Sequence, residues 1–125
     1  MYEIILDTET TGFEPDEGHR IIEIGCLEIH NYIQTGRTFH AYLNPDRDVP
    51  PDATAVHGIT TAFLADKPTI DLMIEPFLEF IGNTPLVIHN APFDLKFLNA
   101  ELKTFGFPSL DNKRVLDTVR MAREK

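Results

Sequence analysis

Tryptophan is absent from this 125-residue chain, cysteine occurs once, and basic residues number 11 against 20 acids. The lone Cys26 excludes a disulfide within the chain and is read as the mark of a reducing compartment such as the cytoplasm. Without tryptophan, the usual sugar-stacking platform of a glycosidase is missing. No apolar run is long enough to span a bilayer, and no charged-then-apolar leader opens the sequence, so no membrane partner is expected. Repeats and low-complexity tracts are missing too. The net charge of −9 disfavours a protein that tracks a duplex by neutralising a broad run of phosphates.

What is present is a core. Hydrophobic residues make up 42%, enough for one folded domain and too many for a disordered chain. The charge is unevenly spread: residues 1–95 hold 16 acids and 4 bases, residues 96–125 hold 4 acids and 7 bases. A protein that grips only a chain end through bound cations can be acidic, because the metal ions supply the positive charge.

Three apolar runs open the chain: residues 2–6 (Y-E-I-I-L), 20–29 and 37–43, with a polar turn at 30–36. Their spacing predicts an antiparallel meander. A Pro- and Asp-rich connection follows. Ile70, Met73, Ile74, Phe77, Leu78 and Ile81 then trace one buried helical stripe, with Thr69 as the expected N-cap. Pro76 inside this pattern predicts a kink or a late start. Residues 86–89 read as a fourth strand, followed at once by a helix with Pro92 in its first turn and Gly106 at its stop. Residues 115–118 predict a last short strand entering a helix at the chain end. Strands alternating with helices after an all-strand start describe a mixed α/β sheet with helices packed on it.

Asp7 and Glu9 stand at i and i+2, so in a strand they share one side, with Cα atoms roughly 6.5–7 Å apart. Both could reach one divalent cation, which would relieve their mutual repulsion. Alone, D-x-E reads far more readily as a solvated acidic turn than as a metal site. Asp94 adds weight. It precedes Phe97, Leu98, Leu102 and Phe105 by 3, 4, 8 and 11 residues, which puts it on the stripe facing the sheet. A buried carboxylate needs a partner. A shared metal site explains all three acids better than a helix-capping role for Asp94.

L-D-T-E-T-T-G-F (6–13) resembles the first motif of the DEDD 3′→5′ exonucleases, of the DEDDh type, and V-I-H-N-A-P-F-D (87–94) resembles their second. Between them, R-I-I-E-I-G (20–25), F-H-A-Y-L-N-P (39–45) and V-H-G-I-T (56–60) follow the order and spacing of the proofreading subunits of bacterial DNA polymerase III. The resemblance covers essentially the whole chain. It implies a ribonuclease H-like fold, a mixed five-stranded sheet flanked by helices, and two-metal release of mononucleotides from DNA. It further implies that Asp7, Glu9 and Asp94 hold two Mg²⁺ or Mn²⁺ ions. Thr10, with Thr11 and the neighbouring backbone, would hold the terminal nucleotide of a single-stranded 3′ end. His57 would lie over its sugar or base, and Phe93 would wedge beside the base. The polymerase alpha subunit is the implied protein partner, through a region beyond Lys125. Read from the residues alone, Thr10 and Thr11 suit any turn, His57 before Gly58 any loop, and Phe93 a core. His89 and Asn90 read as fixing a strand-to-helix turn, and Glu23 and Asp117 as structural.

The family's third motif supplies a histidine that deprotonates the attacking water and a fourth aspartate. It has no counterpart before Lys125, and none of His19, His30, His40, His57 and His89 stands at its position. The expectation is therefore one exonuclease domain over residues 1–125, incomplete at its C-terminus and lacking C-terminal helices. It should expose apolar surface. Its rate should be lowered about 10²–10⁴-fold for want of the base. Three other readings compete: an RNA- or oligonucleotide-trimming relative, a non-catalytic binding module, and, more distantly, a two-carboxylate glycosidase, in which Asp94 would have no role.

Overall fold

In the computed structural model, which describes residues 1–118, side-chain alternation shapes the start of the chain. β1 (Tyr2–Thr10) buries Ile4, Leu6, Thr8 and Thr10 on one side, and β2 (Ile21–His30) buries Ile24, Cys26 and Glu28 in step. β3 (Ile33–Tyr42) completes the antiparallel meander that the apolar runs predict. β1 is longer than its apolar run, because the ladder to β2 continues through the acidic segment as far as Thr10. Burial pushes the Cys26 thiol up to about 12, so the one cysteine is an inert core residue.

The β2–β3 turn is much tighter than the polar stretch predicts. Asn31 and Tyr32 make it alone, with φ of 51° and 70°. Two successive left-handed residues match the twist of the flanking strands, and glycine is the usual second residue. Tyr32 is 91% exposed, so little packing would be lost with its side chain. Tyr32→Gly is expected to raise stability by about 1 kcal/mol by removing left-handed strain. Urea unfolding of the two proteins checks this; an unchanged or lower midpoint would count against it.

The Pro- and Asp-rich connection is more ordered than its composition suggests. It holds α1 (Pro51–His57), ended by Gly58 at φ 76°, and α2 (Thr61–Leu64), capped by Thr60, which accepts the Phe63 N–H at 3.1 Å. Ile22, Val49, Ile59 and Leu64 form a small second core with them. The helix predicted over 70–81 starts late: a 3-10 turn (Ile70–Leu72) precedes α3 (Ile74–Ile81). Pro76 thereby falls in the first helical turn, where no backbone donor is required. Thr69 stands at the N-cap of that 3-10 turn, but its side chain makes no capping bond; its hydroxyl donates to Asp71 instead.

β4 (Leu86–Ile88) runs parallel to β1, and β5 (Val115–Asp117) parallel to β4, giving the order β3-β2-β1-β4-β5. Between them, α4 (Ala91–Thr104) has Pro92 in its first turn. It ends at Gly106 (φ 82°), where Phe107 N–H donates to Leu102 O at 2.8 Å and Gly106 N–H to Lys103 O at 3.2 Å, a Schellman stop. Phe77, Ile81, Phe97, Leu98 and Leu102 of α3 and α4 join Ile4, Leu6 and Ile88 of the sheet in the main core. The other side of the sheet aligns Ile5, Val87 and Leu116 across β1, β4 and β5, with Ile5 and Leu116 each 40% exposed. The helix expected at the chain end lies outside the described residues. Among the described residues no helix is long and apolar enough to cross a membrane.

Candidate active site

The end of β1 is shaped by a bulge. Glu9 faces Glu23 while Thr10 faces Ile21, so Ile22 is one residue too many for the ladder. Ile21 enters the main core and Ile22 the second core, which is how both neighbours can be buried. The T-T-G segment beyond is fastened by its own hydroxyls. Thr10 Oγ1 donates to Gly12 O at 2.7 Å, Thr11 Oγ1 accepts Arg20 N–H at 3.0 Å, and Thr11 N–H donates to Arg20 O at 2.9 Å.

Asp7 and Glu9 project from the side of β1 opposite Thr8, Asp7 exposed and Glu9 half-buried. Glu23, across the ladder from Glu9, is engaged by His40 at 2.6 Å. Asp94 is only 4% exposed and comes from the first turn of α4. Its carboxylate accepts a hydrogen bond from the Thr8 hydroxyl. Burial pushes the Asp94 carboxyl up to about 6; the Thr8 bond works against this, and the charges of Asp7 and Glu9 add to it. Burial, then Asp7, likewise raises the Glu9 carboxyl. The three acids therefore share one electrostatic field. They do not converge on one point: among the described residues no three His, Cys, Asp or Glu side chains are arranged to hold a metal ion. In kind they fit a divalent cation, being hard oxygen donors that repel one another.

Thr10, Thr11, His57 and Phe93 line one cavity of about 400 Å³, and Glu9 lines it with them. Asp7 and Asp94 do not. Phe13 and Val56, 79% and 84% exposed, add apolar surface to its wall. His57 Nδ1 accepts Ile59 N–H at 3.1 Å, so its proton sits on Nε2, which donates to Thr10 O at 3.2 Å. Phe93 packs its ring against Phe97, with centroids 5.2 Å apart, and so serves the core as well as the cavity.

The strand-to-helix turn is built as the sequence suggests. Asn90 takes φ 58°, its N–H donates to Asp117 Oδ1 at 3.1 Å, and His89 Nδ1 lies 2.9 Å from Thr118 Oγ1. Two contributors escape a reading of the sequence. Thr8 is hidden between two acids that draw attention away from it. Glu101, buried, accepts from Arg20 Nε at 3.0 Å and Nη2 at 2.7 Å, tying α4 to the start of β2. The signal for Glu101 was available, since it lies seven residues after Asp94 on the same stripe.

Residues 4–125 match the RNase T family model, described as exonuclease. The chain is 54% identical over 126 residues to DNA polymerase III subunit epsilon of Rickettsia felis, covering 98% of this chain and 55% of that protein. It thus spans about half the length of the curated relatives it matches. Among solved structures, Exonuclease X in complex with 5′ overhanging duplex DNA superposes with a TM-score of 0.74 at 29% identity, covering 98% of this chain and 63% of that one. The zinc-bound form of E. coli ExoI in its complex with single-stranded DNA shares the fold, with a TM-score of 0.85 at 16% identity over 98% of this chain and 29% of that one.

Proposed function

The chain belongs to the RNase T exonuclease family, and from that premise we propose that it is a metal-dependent 3′→5′ exonuclease domain of the DNA polymerase III epsilon type. Its reaction is hydrolysis of the terminal phosphodiester of single-stranded DNA, releasing mononucleotides. One observation carries the reading: a cavity of small-ligand size, lined by Thr10, Thr11, His57 and Phe93, opens beside Glu9, whose carboxyl is raised by burial and by the neighbouring charge of Asp7. A nucleotide seated there would bring its phosphate beside Glu9.

Asp7 and Glu9, with Asp94 completing the set, would hold two divalent cations, Mg²⁺ or Mn²⁺. When bound, these supply an activated water and offset charge on the attacking and leaving oxygens. Phe13, Val56 and Phe93 offer apolar contact to the terminal base and sugar, and the T-T-G backbone is held rigid to receive them. His57 does not serve as the general base in this arrangement. Its Nδ1 lone pair already accepts from Ile59 and its Nε2 proton is given to Thr10, so it braces the wall of the cavity. By the same likeness the chain works in the cytoplasm within a DNA polymerase III assembly, with the alpha subunit as its partner.

The test is release of mononucleotides from 3′-labelled single-stranded DNA with Mn²⁺, comparing the chain with Asp7→Ala. Release and Mn²⁺ binding are expected from the unmodified chain, and neither from the variant. Equal release by both, or no Mn²⁺ binding by either, would sink the proposal.

A further inference from the structure

We propose that His19 is a substrate-binding residue whose Nε2–H donates to a non-bridging phosphate oxygen near the 3′ end of the DNA. The inference rests on the exonuclease reading and extends it to a histidine that reading leaves without a role. The tautomer follows from chemistry. Arg47 Nη1 lies 3.2 Å from His19 Nδ1, and a guanidinium nitrogen can only donate, so Nδ1 accepts and the ring proton sits on Nε2. Thr11 agrees: its oxygen accepts Arg20 N–H at 3.0 Å, which leaves its own proton for His19 Nδ1 at 2.9 Å. Arg47 is in turn anchored on Gly18 O and Asp48 O, each at 3.0 Å.

The ring is held where its free edge matters. A Cβ on Gly12 would fall 2.4 Å from both Cε1 and Nε2 of His19, so only glycine admits the imidazole at this depth against the T-T-G turn. His19 lines the same cavity as Thr10, Thr11, His57 and Phe93. Among the described residues its Nε2 has no hydrogen-bond partner and no side-chain nitrogen is buried without one, so Nε2 is accessible on a residue that lines the cavity. The contrast with His57 is direct: there the same tautomer gives its proton to Thr10 O. An anionic acceptor is favoured for His19 because two donors on Nδ1, one of them a cation, strengthen Nε2–H as a donor. The cavity is otherwise lined by the acids Glu9 and Asp52, so a phosphate entering it needs such a donor.

The experiment is fluorescence anisotropy in Mn²⁺ with a 5′-labelled dT hexamer, and with the same hexamer carrying methylphosphonates at its last two linkages. His19→Ala is expected to weaken binding of the native hexamer about 10–100-fold, the range for a hydrogen bond to a charged group. Binding of the methylphosphonate hexamer, whose remaining non-bridging oxygen at each of those linkages is an uncharged and weaker acceptor, is expected to fall much less on that substitution. His19→Phe, which keeps the ring packing on Gly12, should behave like His19→Ala. His19→Gln, able to accept at Oε1 and donate from Nε2, should recover most of the affinity. Equal weakening on both hexamers would mean a structural or base-contacting role and overturn the proposal, as would variants that bind like the unmodified chain. In that last case the exonuclease reading stands; if the unmodified chain binds neither hexamer, both readings fall.

Discussion

Asp94→Asn is expected to make the metal-free protein more stable at pH 7, by about 3 kcal/mol. The buried Asp94 carboxyl titrates near 6 in the folded chain against an ordinary value of 3.8. Between those values the folded protein holds a proton that the unfolded chain has released. Stability of the unmodified protein therefore falls as pH rises from about 4 to about 6, and the loss is complete above that window. Below pH of about 4 both states are protonated and the handicap vanishes. Asparagine carries no charge to bury, and its Oδ1 can still accept the Thr8 hydroxyl proton. Urea unfolding in EDTA across pH 4–7 should show the unmodified chain losing stability where the variant stays flat. Parallel curves would refute the assignment. With Mn²⁺ the order at pH 7 should reverse, because only the unmodified chain gains from the ion.

Removing Arg20 should be the most damaging change outside the cores. Arg20→Met leaves the Glu101 carboxylate without its fork of two donors at the buried face of α4. Breaking a fully buried pair costs about 3–5 kcal/mol. The Arg20 side chain here is 26% exposed and that of Glu101 11%, so solvent screening reduces the expected loss to about 2–3 kcal/mol. Replacing both residues, Arg20→Met with Glu101→Leu, should recover most of it, since the damage comes from the orphaned charge and not from the missing pair. Urea midpoints of the single and double variants decide this. A double variant as weak as the single one would show that the pair itself, through its geometry, holds α4.

Much of the architecture was legible because it rests on short-range periodicity. The three apolar runs, the late start at Pro76, the Gly106 stop and the sheet-facing side of Asp94 all follow from spacing or from one residue's backbone limits. What escaped depended on other things. The β2–β3 turn was hidden because Asn31 and Tyr32 carry no glycine, although both take left-handed φ. α1 and α2 were hidden because Pro, Asp and Thr usually mark irregular chain, and here they serve as helix starts and caps. At the site, the i, i+2 spacing of Asp7 and Glu9 gave their shared side, and the stripe gave the burial of Asp94. That Asp94 would turn to Thr8 was not legible, because a bond across 86 residues leaves no local trace. The Arg20–Glu101 pair, 81 residues apart, is of the same kind.

That separation also bears on the order in which the molecule assembles. β1, β2 and β3 pair through neighbouring turns, whereas β1 meets β4 only after some eighty residues of intervening chain have been drawn together. Closing the longer loop carries the larger entropic barrier, so the meander should be protected from hydrogen exchange early in refolding and the β1–β4 ladder late. Asp94 arrives with that second event. A chain caught midway would hold two of its three carboxylates on a half-built sheet, and the site proposed to use all three would be complete only once α4 has docked.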